Sequence, residues 1–234
     1  EAGLCWRRAG LRTDRIDLWE FAEHYPPFCV RARWGAGAKA AVCARSVPEA
    51  EHWQAFWNER EPGMEFVVEG FLPGRDLAWS SIWYQGDLIC SFTRERLEYI
   101  YPGLTPEGLT GTPVRARIVH DDAVNLIGPE AVYAVDEKPH GIYSVDLRED
   151  EDGVPRPTEI NAGRGFTTFG LWAMEIKDDA TGINLYDLIC KLAESPSTAR
   201  YWASLVQPHD LLQEGMELIR HIDCGSFIYH PVCA

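Results

Sequence analysis

No apolar run in this sequence comes near the roughly 18 residues that a membrane-spanning helix needs, and no secretory signal pattern opens the chain. Paired cysteine motifs are also missing. Cys5, Cys29, Cys43, Cys90, Cys190, Cys224 and Cys233 form no C-x-x-C pair, and an odd, scattered set reads as reduced thiols. A cytoplasmic location is expected from this. Basic charge is scarce: 22 Lys and Arg stand against 36 Asp and Glu, a net −14. A deficit of this size argues against nonspecific binding to nucleic acid or an anionic membrane, which needs a basic surface. An anionic ligand would have to be held by local groups. Internal repeats and low-complexity tracts are absent too. The 234 residues, 46% of them hydrophobic, are enough to bury the core of a globular protein with one or two lobes.

Residues 5–25 read as one or two short helices, since "DRIDLWEFAEHY" carries Ile16, Leu18, Trp19 and Ala22 at helical spacing. "FCVRARWGAGAKAAVCA" reads as strand, glycine-containing loop and strand. Ser46 as N-cap, Pro48 near the first turn and a stripe of Ala50, Trp53, Phe56 and Trp57 predict a helix. "EFVVEGFLPG" is a strand running into a Pro-Gly turn, and the next segment alternates around Gln85-Gly86-Asp87 as a hairpin. Residues 97–120 are rich in Gly, Pro and Thr, and read as a long functional loop. A helix is expected from about Pro129 to Glu137, and Ile183, Leu185, Leu188, Ile189 and Leu192 mark an amphipathic one near the end. Helices mixed with mainly antiparallel hairpins give the class α+β.

The segment "GIYSVDLREDEDGVPRPTEIN" concentrates acid in one hairpin. With Asp152-Gly153 at the centre of a tight turn, Asp146 falls opposite Glu159 and Ser144 opposite Asn161. Alternation puts these four side chains on one face and Tyr143, Val145, Leu147 and Ile160 on the other, which reads as core. Opposed like charges are destabilising, so something cationic should lie between them. Two carboxylates and an amide oxygen, with no His or Cys, form an all-oxygen set suited to Mg²⁺. A solvated acidic surface is the competing reading, and a glycosidase-type acid pair is disfavoured because nothing else resembles a sugar site.

The stretch "GIYSVDL…DGVPRPTEINAGRG" resembles the metal-binding hairpin of the ATP-grasp superfamily, in which an acid is followed thirteen residues later by Glu-x-Asn. Asp146, Glu159 and Asn161 match that pattern. Three further stretches follow the family's order. "FCVRARWGAGAKA" resembles the strand and glycine-rich loop over the phosphates, "VVEGFLPGRDL" the adenine-binding hinge, and "TGINLYDLICKLA" the closing helix. The carbamoyl-phosphate-synthase type is the most similar, because Arg there often starts the phosphate loop.

The resemblance implies ATP and Mg²⁺, or Mn²⁺, as cofactors. By position, Arg31, Gly35, Gly37 and Lys39 would contact the phosphates, Glu69, Gly70, Phe71 and Leu72 the adenine, and Asp76 the ribose hydroxyls. Asp146, Glu159 and Asn161 would hold the metal. Arg164, three residues after the Asn where relatives commonly have an Arg two after it, would stabilise the charge developing on an acylphosphate. Among Arg94, Arg96, Arg115 and Arg117, Arg94 would recognise a substrate carboxylate, while His120 and His140 read as structural.

The implied organisation is a helical linker over 1–27, a small lobe over 28–74, a large lobe over 75–193 and a C-terminal extension over 194–234. The family's usual N-terminal domain does not precede these lobes in the sequence, so the expectation is either a fragment or a chain that has lost that domain, with a homodimer or a partner chain supplying it as the expected partners. The implied activity is an ADP-forming ligation that phosphorylates a small-molecule carboxylate for attack by an amine. The alternatives are bicarbonate or carbamate phosphorylation, a non-catalytic nucleotide-binding module, and an acidic structural module.

Overall fold

The computed structural model describes residues 15–16, 27–34, 40–104, 108, 113–163, 185–195, 197, 209, 212–221 and 225–229. The fold is α+β, with two sheets whose strand pairings are antiparallel.

The four-stranded sheet has the order β1-β4-β2-β3, with β1 at Arg15–Ile16, β2 at Phe28–Ala32, β3 at Val42–Ala44 and β4 at Phe66–Gly70. Period-two alternation turns Phe28, Val30, Val42, Ala44 and Val68 inward against helix α1, Val47–Arg60. Ser46 caps α1 by accepting the Glu49 amide at 3.4 Å, and the Glu49 carboxylate reaches back to the Arg45 amide at 2.8 Å. These contacts satisfy amides at a helix end that has no earlier turn to bond.

Of the aromatic stripe expected on α1, Ala50 is fully buried while Phe56 is 44% exposed. Trp53 stacks on Phe56, and Trp57 meets both rings edge-on, with centroids 5.8 to 6.0 Å apart. The three-stranded part of this sheet is too small to cover a full aromatic face. Where helical spacing suggested a helix around Arg15 and Ile16, those residues instead extend along the open edge of β4. Unpaired backbone groups on a sheet edge recruit such pairing, and they override a weak helical pattern.

The seven-stranded sheet has the order β11-β10-β7-β6-β5-β8-β9. Its strands are β5 Asp76–Tyr84, β6 Asp87–Tyr99, β7 Pro113–Val119, β8 Gly141–Glu149, β9 Pro155–Ala162, β10 Glu217–His221 and β11 Gly225–Tyr229. The β5–β6 turn is Gln85-Gly86, and both residues have positive φ, 52° and 102°, as a two-residue primed turn requires. One face of the sheet carries Leu77, Trp79, Trp83, Tyr143, Val145 and Leu147. Helix α2, Asp122–Tyr133, lies on that face with Val124, Ala131 and Val132. Each Val or Leu side chain taken fully out of water contributes roughly 1.5–3 kcal/mol before entropic costs. Helix α3, Leu185–Glu194, follows and buries Leu192.

Three boundaries differ from the sequence reading. Helix α2 begins at the Asp121 cap, whose side chain accepts the Ala123 and Val124 amides at 3.1 Å each, and Pro129 lies inside it. A proline, lacking a donor, is best tolerated in a helix's first turn, but here apolar packing on Trp79 carries the helix through Pro129. The long loop expected over 97–120 is shorter, because 97–99 complete β6 and 113–119 form β7. The segment set apart as a C-terminal extension contributes β10 and β11, with Leu218 paired to Ala116 across β7.

Gly128 shows how closely α2 is seated, since a Cβ there would lie within 2.8 Å of three atoms of the fully buried Trp79 indole. Gly128→Ala is expected to cost about 1–3 kcal/mol in urea denaturation. Gly103→Ala, where no atom lies within 4 Å of the added Cβ, is the control and should shift the midpoint by little. Equal midpoints for the two variants would refute the close seating.

Candidate functional site

The acidic hairpin forms with Asp146 opposite Glu159 and Ser144 opposite Asn161, as expected, but by a different route. The turn is not centred on Asp152-Gly153. The Asp150 amide bonds the Val154 carbonyl, the Gly153 amide bonds the Asp150 carbonyl, and Gly153 takes φ 76°, giving a three-residue loop closed by a left-handed glycine. The Asp150 side chain steadies it by accepting the Asp152 and Val154 amides at 3.0 and 2.9 Å. This loop moves the register by one residue, and a bulge between Asp146 and Leu147 on one strand, opposite Thr158 on the other, moves it back.

A cation does meet one of the two acids, but Arg96 lies between Asp146 and Asp76 and not between Asp146 and Glu159. On β6 it lies opposite Asp76 on β5, and its Nη2 donates to Asp146 Oδ1 at 2.6 Å while Nη1 donates to Asp76 Oδ1 at 3.2 Å. Tyr99 completes the group by donating its hydroxyl to Asp76 Oδ2 at 2.5 Å. Burial works against the charge on Arg96, but Asp146 and Asp76 outweigh it and hold the guanidinium above its ordinary pKa. The Tyr99 hydroxyl is pushed up as well, by burial first and by Asp76 second.

The β5–β6 hairpin brings these groups together through a second irregularity. Trp83 faces Leu88, but Ile82 faces Cys90, so Ile89 is an extra residue in β6. From that bulge onward Phe92, Arg94 and Arg96 share the face of Asp76, Ala78, Ser80, Ser144 and Asp146. Arg115 and Arg117 occupy the opposite face of β7, with Glu217 at 2.8 Å and Glu95 at 2.7 Å. The four arginines considered for carboxylate recognition, of which Arg94 was favoured, are therefore split between the two faces. A regular hairpin would have placed Arg96 with the core, so turn chemistry alone could not find it.

Arg94 is 1% exposed and donates from Nη1 to Ser80 Oγ at 2.7 Å, and Ser80 lies 3.4 Å from Ser144 Oγ. Burial, and then the neighbouring Arg96, lower its pKa to about 9, so it is still cationic at neutral pH. Direct contact with a substrate carboxylate would require its uncovering. His120 bonds the Leu212 carbonyl at 2.8 Å, and His140 receives the Gln85 amide at 3.2 Å, both structural placements.

In the smaller sheet Arg31 and Glu69 hold each other, with Nε to Oε2 at 2.8 Å and Nη2 to Oε1 at 3.0 Å. The strand β4 ends at Gly70, Phe71 is exposed and Leu72 is buried. The connection to β5 is tied down next, as the Gly74 amide bonds the Glu149 carbonyl and Arg75 bonds the carboxylates of Glu149 and Asp121. Gly74 cannot carry a side chain here, since a Cβ would meet Glu149 Cβ at 2.5 Å. Gly35, Gly37, Lys39 and Arg164 lie outside the described residues.

The donor set fits Mg²⁺ in chemistry: Asp146 and Glu159 are carboxylates, Asn161 offers an amide oxygen, and all three share the face and a cross-strand register. Among the described residues no three His, Cys, Asp or Glu side chains converge to hold a metal, so a metal at this set would need the amide and oxygens from a ligand.

No family model matches the chain, and no curated protein matches it by sequence. Solved structures do match. Phosphoribosylglycinamide synthetase from Anaerococcus prevotii aligns over 93% of this chain and 53% of its own, with TM-score 0.61 and 17% identity. D-alanine–D-alanine ligase from Bacillus anthracis aligns over 88% and 68%, with TM-score 0.56 and 16% identity. L-amino acid ligase from Bacillus licheniformis aligns over 81% and 45%, with TM-score 0.54 and 18% identity. The chain thus spans about half the length of the synthetase and of the L-amino acid ligase. The chain has the ATP-grasp fold, that of the superfamily its motifs resemble.

Farther along the same face Cys90 is fully enclosed, and burial pushes its thiol from an ordinary 9.0 up to about 12. The folded state therefore keeps a proton that the unfolded chain gives up. Stability from this thiol is complete below about pH 9 and is lost as pH rises toward 12. Urea midpoints between pH 8 and 10.5 should fall more steeply for the natural chain than for Cys90→Ala, and parallel slopes would contradict this enclosure.

Proposed function

We propose that the chain is the nucleotide-binding part of an ATP-dependent, ADP-forming ligase that phosphorylates a small-molecule carboxylate and passes the acyl group to an amine. The observation that carries this reading is the cross-strand set of Asp146, Glu159 and Asn161 on one face of an ATP-grasp sheet, with Asp76 on that same face. Phosphoryl transfer asks a protein for positioning and charge neutralisation more than for covalent chemistry. Mg²⁺ or Mn²⁺ supplies neutralisation of the β- and γ-phosphates when bound.

The chain's own groups divide the remaining work. Asp146, Glu159 and Asn161 hold the metal, Asp76 accepts ribose hydroxyls, and backbone groups of Glu69 to Leu72 bind adenine. Arg31 and Lys39 draw in the phosphates, with Gly35 and Gly37 permitting close backbone approach. Arg164 is assigned, by its place in the sequence motif, to stabilising the charge that develops on the transferred group. Arg94, given its burial, acts by holding Ser80 and Ser144 in place beneath the acids. The names of the similar enzymes support this assignment in kind, two of them being ligases and one a synthetase.

Thermal denaturation with MgATP and MgADP provides the test. A ligand specific for the folded state adds about 2.7 kcal/mol at a hundred times its Kd. The natural chain should gain this stability, Glu159→Ala or EDTA should remove most of it, and ADP should then be released in the presence of the right acid and amine. A metal-dependent shift with no ADP release across a broad panel of acids and amines would favour a binding module. Absence of any shift at millimolar nucleotide would refute the site.

A further inference from the structure

Arg96 gives Asp146 a partner before any metal arrives. Its Nη2 lies 2.6 Å from Asp146 Oδ1, closer than its 3.2 Å contact with Asp76, and both pairs are largely shielded, with side chains 13% exposed for Arg96 and 18% for Asp146. The acid that heads the metal set is thus already neutralised by a fixed cation. A divalent ion reaching Asp146 meets a like charge at hydrogen-bond range, and such repulsion is strong where water is scarce.

Arg96 is also able to yield. Asp76 keeps the Tyr99 hydroxyl at 2.5 Å and is not left bare if the guanidinium turns away. Glu159, directly opposite Asp146, is exposed and among the described residues takes no bond from Arg96. It is the open half of the pair. We propose, on the reading of the metal site given above, that Arg96 is a resident counter-cation that competes with the divalent ion for Asp146. The ion is therefore held weakly until it arrives with nucleotide phosphates that offset the added charge. Arg96 is in this sense a positioning residue that couples metal loading to nucleotide, through one guanidinium spanning the ribose acid and the metal acid.

The test uses the full chain and Mn²⁺ alone, with free Mn²⁺ read by electron paramagnetic resonance. Arg96→Gln should bind Mn²⁺ about tenfold or more tightly than the natural chain, and adding Asp146→Asn to it should abolish the gain. With a non-hydrolysable ATP analogue present, the gap between natural chain and Arg96→Gln should narrow. Equal or weaker Mn²⁺ binding by folded Arg96→Gln overturns the competition, while nucleotide-dependent Mn²⁺ binding by the natural chain would leave the site itself standing. If no chain binds Mn²⁺ even with nucleotide, both readings fall. Should Arg96→Gln not fold, Asp76→Asn/Arg96→Gln removes one acid together with the cation, and its Mn²⁺ affinity against that of Asp76→Asn decides by the same criterion.

Discussion

Two carboxylates that repel each other are set face to face by backbone register, and much of the polar face follows from that. Asp146 and Glu159 cannot drift apart without breaking the β8–β9 ladder, so their charge must be met where it stands. Within the protein, Arg96 meets the Asp146 half from two strands away and takes in Asp76 as well, while Glu159 stays exposed to water. The arrangement is a buried ion network whose net benefit to stability is small, because desolvation offsets most of the attraction. Its value lies in fixing where acids point. A face organised in this way suits a ligand that brings both a metal and phosphates.

The same economy recurs across a chain that is acidic overall. Arg31 is held by Glu69, Arg75 by Glu149 and Asp121, and Arg156 by Asp150 at 2.8 Å. Each pair ties together segments distant in sequence or closes a turn. Arg75 joins the connection after β4 to the end of β8 and to the cap of α2, and the bare Gly74 beside it lets the two backbones approach. Arg31, Arg75 and Arg156 are thus each engaged by a carboxylate of the chain itself.

Much of the fold was legible because local rules agreed with it. Gln85-Gly86-Asp87 specified a hairpin, Ser46 and Pro48 a helix start, and alternation in "GIYSVDL" a strand with an acid face. The acidic pairing was read correctly although the turn was not, since the glycine-closed loop and the bulge at Thr158 each shift the ladder by one residue and cancel. Where one shift stands uncancelled, as at Ile89, the local reading gave no hint that Arg94 and Arg96 join the acids while Arg115 and Arg117 face away. A bulge is a property of two strands together, and neither strand announces it.

Residue types and their spacing by themselves determined the α+β class, the strand-and-turn order and the all-oxygen donor set, because turns, caps and side-chain alternation act over a few residues. Only the tertiary structure decided that Arg96 neutralises Asp146, that Arg94 is enclosed, and that β10 and β11 complete the larger sheet. Those outcomes depend on long-range pairing and on desolvation. Both arise only once segments far apart in the chain have been brought into contact.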